Sequence, residues 1–103
     1  MLLKNTFTHH VHFWLKNRGD RELLIEGLHA LAPITHIREY HVGIPADTFG
    51  DVVDRSYDVS LLILFDDIDA HNAYDADPIH QVFVEKYAKP LCEKIVVADS
   101  VNA

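Results

Sequence analysis

The chain has 103 residues, a formal net charge of -7 at pH 7 and a single cysteine. Its length suits one domain with its own core, and 49% apolar with 24% charged residues is ordinary globular composition. The acidic balance and the nine scattered Lys and Arg residues argue against nucleic acid, and the lone Cys92 excludes an internal disulfide. No stretch reads as a signal peptide or a membrane span, so a cytoplasmic protein without membrane contact is expected.

Phe7 to Leu15 alternates: Phe7, Val11, Phe13 and Leu15 share one face with His9, while Thr8, His10, His12 and Trp14 share the other. A period of two predicts a strand. Asn17-Arg18-Gly19-Asp20 breaks it, with Asp20 the expected cap of a helix to about Leu31. Leu24, Gly27, Leu28 and Leu31 give that helix an apolar stripe. Pro33 follows, and a second strand is predicted from about Ile34 to Ile44, then a loop over Pro45 to Ser56. Tyr57 to Phe65 is the clearest strand, apolar on both faces. Asp66 or Asp67 caps a short helix to about Tyr74, and a further piece runs from Pro78 to about Lys89. Its Ile79, Val82, Phe83 and Tyr87 form a predicted core stripe. Pro90 ends it, and Glu93 to Ser100 supplies the last strand.

The order β-α-β-β-α-β predicts an α+β, ferredoxin-like single domain over residues 1–103. Its antiparallel four-stranded sheet carries both helices on one face. The other face needs cover, and Leu62 and Leu64, or their odd-numbered neighbours, are expected there together with Trp14. An apolar patch on so small a chain predicts a homodimer, joined face to face with twofold symmetry as a dimeric α/β barrel.

The chemistry is expected at Tyr74-Asp75-Ala76-Asp77-Pro78-Ile79-His80. An unbroken helix would turn positions six apart in different directions, but Asp77-Pro78 is a cap followed by a favoured first helical residue. The restart puts His80 in a first turn, where partial positive charge favours neutral imidazole. Tyr74 and His80 are thereby candidate acid/base partners, with His80 as base and Tyr74 donating to an enolate oxygen. The bland alternative is that His80 bonds a backbone carbonyl and Tyr74 packs. His10 joins them if its strand face looks inward. The His10-x-His12 pair also suits one side of a metal site, although no metal or other cofactor is assigned. His9 reads as a hydrogen-bonded structural residue, and His29, His36, His41 and His71 as solvated. Asp66, Asp67 and Asp69 are capping residues, Asp51, Asp54 and Arg55 rim contacts or a salt bridge to a partner subunit, and Cys92 a buried inert thiol.

The segments HHVHFWLK (9–16), YDVSLLILF (57–65), AYDADPIH (73–80) and VVADSV (96–101) resemble the stress-responsive dimeric A/B barrel (Dabb) family. That resemblance implies two ferredoxin-like subunits whose sheets close into a barrel. It extends distantly to a plant polyketide cyclase branch, olivetolic acid cyclase, whose Tyr and His correspond to Tyr74 and His80 and whose first-strand His corresponds to His10. Two further pocket residues of that branch are replaced by Val59 and Gly27. Three functions remain open at this point. One is acid/base cyclase- or isomerase-like chemistry on a small carbonyl ligand. Another is a non-catalytic, stress-associated dimeric domain. The third, on fold analogy alone, is oxygenase or haem-handling chemistry.

Overall fold

Strand β1 (Phe7–Leu15) buries every odd-numbered side chain, so its period-two pattern selects one face for the core. The computed structural model describes residues 1–103. After β1 come α1 (Arg21–His29), β2 (Glu39–Gly43), β3 (Val59–Phe65), α2 (Ile68–Ala76), α3 (Pro78–Phe83) and β4 (Cys92–Val101). The sheet is antiparallel throughout, in the order β2-β3-β1-β4. This is the ferredoxin-like α+β arrangement expected from the sequence.

Register fixes which residues meet. Val11 lies opposite Leu61 on β3 and Val97 on β4, and His9 lies opposite Ile63 and Asp99. On the helix-covered side, Val59, Leu61, Ile63 and Phe65 pack with Leu24, Leu28 and Leu31, all at most 1% exposed. Burying each such side chain contributes about 1.5–3 kcal/mol, so this layer outweighs any surface ion pair. The α1 stripe is therefore the helix's attachment to the sheet.

Several element limits differ from the sequence expectation, each for a local reason. Asn17, not Asp20, makes the capping bond, accepting from the Gly19 amide at 2.9 Å before a short 3-10 turn. The second strand begins at Glu39 rather than Ile34. Buried Leu31 and Ile34 are held by tight turns instead, Ile34 N–H donating to Leu31 C=O at 3.0 Å. Of the two candidate caps, Asp67 serves α2, accepting from the Ala70 amide at 2.8 Å. Past α3 the chain widens into a π turn at Val84–Ala88 and closes with Lys89–Leu91. The wide turn lies just before Pro90, which has no N–H to close a regular bond. In that stripe Ile79, Phe83 and Tyr87 face inward as expected, but Val82 is 58% exposed.

Strand β4 forms an edge of the sheet, and from Glu93 onward its residues are exposed. Ile95, Val96 and Val97 are all accessible, although successive residues on a strand point to opposite faces. Leu62, Leu64 and Trp14 lie half-buried on the face away from the helices, beside His10, His12 and His41. No helix of the chain is long and apolar enough to cross a membrane.

Candidate active site

The break at Asp77 does what its residue types require. Asp77 is the C-cap of α2 and the N-cap of α3, in extended backbone, and its side chain accepts from the Ile79 amide at 2.8 Å. The change of direction sets the Tyr74 and His80 rings 4.6 Å apart between centroids. Both border a cavity of about 260 Å³ between the sheet and α3, walled by Val11, Phe13, Leu61, Phe83 and Val97. A larger hollow of about 370 Å³, lined by Glu39, His41, Leu62 and Leu64 among others, lies away from this pair between β2 and β3.

Asp75 flanks both ring nitrogens of His80, with its carboxylate Oδ1 3.8 Å from Nε2. The His80 Nδ1 lies 3.1 Å from the Asp75 carbonyl oxygen. A carbonyl only accepts, so Nδ1 carries the proton and Nε2 keeps the lone pair. The bland expectation of a backbone bond is thus met, and that bond fixes the tautomer a base needs. Burial lowers the His80 pKa from its ordinary 6.5, the Asp75 carboxylate and carbonyl oppose this, and His9 and His71 act with burial. Burial wins, so the neutral ring persists to lower pH than usual. A group whose folded pKa is depressed in this way adds stability above about pH 6.5, lost as pH falls below it. Proton NMR of the His80 ring is expected to show a titration midpoint below 6.5. A midpoint above 6.5 would mean that Asp75, not burial, controls the ring.

Tyr74 is 1% exposed, and its hydroxyl makes no hydrogen bond within the chain. Burial raises its pKa strongly, with Asp75 and Tyr40 adding to the effect, so the phenol stays protonated as a donor.

His10 does not join this pair. It lies on the sheet face turned from the helices, exposed, with its ring 4.5 Å from that of His12. The residue that reaches the cavity is His9, one position earlier. A strand reverses faces at each residue, so neighbouring histidines serve opposite sides. His9 is 8% exposed, its Nδ1 lies 2.6 Å from Asp99 Oδ1, and its ring is 5.8 Å from that of Tyr74. His9 is hydrogen-bonded as expected, but it also faces the cavity. Its signal was its shared parity with Phe7, Val11 and Phe13.

His71, expected to be solvated, stacks on Phe7 at 4.7 Å and lies 5.2 Å from the His9 ring. It precedes Tyr74 by three residues on α2, which places both on one helix face. Cys92 is buried, and burial together with Asp58 pushes its thiol up to about 11 against the opposing Lys16, consistent with an inert role. In the long loop, Arg55 binds within its own segment, to Asp47 at 3.2 Å and the Ala46 carbonyl at 2.9 Å.

The geometry has solved counterparts. A Dabb family protein with a ferredoxin-like fold from Mesorhizobium loti superposes with a TM-score of 0.77 at 22% identity, over 95% of this chain and 97% of that one. A dimeric ferredoxin-like protein of unknown function from Jannaschia gives 0.78 at 23%, over 94% and 99%. The hydroxynitrile lyase from Passiflora edulis gives 0.75 at 21%, over 95% and 94%. At such identities the likeness concerns the fold. No curated protein matches the chain. The family model described as Stress Responsive A/B Barrel Domain matches residues 7–102. The chain belongs to the stress responsive A/B barrel domain (Dabb) family.

Proposed function

We propose that the chain acts as a homodimer that binds a small carbonyl compound in the cavity and performs acid/base chemistry on it. The observation that carries this reading is the Tyr74–His80 pair, 4.6 Å apart on one largely apolar cavity. In the proposed step, His80 Nε2 takes a proton from the carbon beside the carbonyl. The C–H electron pair moves into the new double bond, and the carbonyl oxygen becomes an enolate. The Tyr74 hydroxyl donates a hydrogen bond to that oxygen without losing its proton. Reprotonation at another carbon gives an isomerisation, and attack on a second carbonyl gives a cyclisation. The likeness to a hydroxynitrile lyase supports a small-molecule enzyme only at the level of the fold.

The test is a thermal-shift and calorimetric screen of small carbonyl and phenolic compounds. A hit bound by the unmodified protein is expected to weaken at least about tenfold in His80→Ala and in Tyr74→Phe, roughly the value of a lost hydrogen bond or two. A hit that binds both variants unchanged removes the pair from the site. Absence of any hit favours a non-catalytic dimeric domain.

The uncovered sheet face supports the homodimer. Trp14, Leu62 and Leu64 lie there, and Val96 is 43% exposed. Neighbouring folds from Bacteroides fragilis, Jannaschia and Thermobifida fusca are dimeric. Light scattering is expected to give twice the chain mass, and Leu62→Glu, which would trap a charge between two sheets, is expected to give a folded monomer. A Leu62→Glu protein that remains dimeric would place the interface elsewhere.

A further inference from the structure

Beside the cavity, three further side chains converge from three elements. His9 on β1 and Asp99 on β4 are direct partners across the strand pair, and α2 sets His71 beside them. Each offers one donor atom, and the three atoms lie within 4.8 Å of one another. We infer that His9, His71 and Asp99 form a binding site for one divalent transition-metal ion.

The dimensions fit with modest side-chain movement. Donors bound to a shared ion at about 2.0–2.2 Å stand about 3.3–3.6 Å apart in a tetrahedral site. Donors up to 4.8 Å apart must therefore close by roughly an ångström, and the 2.6 Å His9–Asp99 pair must open by somewhat less. The chemistry fits as well. Two imidazoles and one carboxylate suit Zn²⁺, Fe²⁺ or Mn²⁺, and three protein ligands leave positions for water or for an oxygen-bearing ligand. His71 is oriented for the task. Its Nδ1 donates to Asn72 Oδ1 at 3.0 Å, which leaves Nε2 with a free lone pair. His9 and Asp99 already meet at 2.6 Å. A cation that takes a lone pair from each replaces the proton between them. Of the three ligands His9 alone also borders the cavity, so the ion would lie behind its wall rather than inside it.

This site is separate from the His10–His12 pair, which occupies the other face of the same strand. It is also independent of the acid/base reading, because His80 is not one of its ligands. The test uses the full chain stripped with chelator, then titrated with Co²⁺ by visible absorption and with Zn²⁺ by calorimetry. One ion per chain is expected, with binding at least about tenfold weaker in His71→Ala and in Asp99→Asn. His10→Ala and His80→Ala are expected to bind as the unmodified protein does, and circular dichroism confirms that each variant is folded. No uptake by the unmodified protein overturns the inference. So does uptake that survives both His71→Ala and Asp99→Asn, or uptake that disappears with His10→Ala.

Discussion

Tyr74→Ala is expected to lower the unfolding free energy by about 3–5 kcal/mol, while Tyr74→Phe changes it by no more than about 1 kcal/mol. The ring is 1% exposed and packs 5.2 Å from Phe65 and 5.8 Å from His9. Its removal leaves a void under α2 that the stiff sheet cannot collapse to fill. Against a typical total of about 5–15 kcal/mol, that is about a fifth of the stability or more. The hydroxyl is different, since it bonds nothing within the chain and its loss should leave packing intact. Urea unfolding of the two variants separates ring from hydroxyl. If Tyr74→Phe were as damaging as Tyr74→Ala, the hydroxyl would be structural and its proposed role toward a ligand would fall.

Gly27→Ala is expected to destabilise the protein by about 1–3 kcal/mol, against the usual helical gain of about 1 kcal/mol for this exchange. A Cβ at position 27 would stand 2.5 Å from Tyr87 Cγ and 2.7 Å from both Cδ atoms. Helix α1 meets the π turn here through bare backbone against a ring, and that ring is stacked on Phe83 with an interplanar angle of 18°. The ring cannot retreat without disturbing the cavity wall. The thermal midpoint should fall by several degrees, since about 1 kcal/mol corresponds to roughly 4–8 °C in a domain of this size. Pairing Gly27→Ala with Tyr87→Leu should recover part of the loss. A midpoint that rises in Gly27→Ala would show that Tyr87 moves aside freely.

The fold was legible because its strands and helices carry their periods openly. Leu24, Gly27, Leu28 and Leu31 fall on one helical face and are all buried. The Tyr74–His80 meeting was legible for the same reason, because Asp77-Pro78 states a cap and a restart in residue types alone. What escaped was which of two adjacent histidines the helices would cover. His9 shares its face with Phe7, Val11 and Phe13, and that apolar face is the one α2 and α3 must cover, so the choice was available from parity. Asp99 was not available, since its place beside His9 depends on a pairing 90 residues apart in the chain. Gly27 misled in another way. The position reads as a pocket residue lost, but Tyr87 fills the adjoining space from a different helix.

Strand β4 offers a bare row of amides and carbonyls along its outer edge, with Ile95, Val96 and Val97 accessible on its two sides. Such a ribbon is a template for any extended segment it meets, including those of half-melted neighbours. A chain with this edge uncovered would therefore be adhesive. Warming a dilute solution should yield precipitate before it yields reversible melting, and a lysine at position 96 should delay the onset of turbidity.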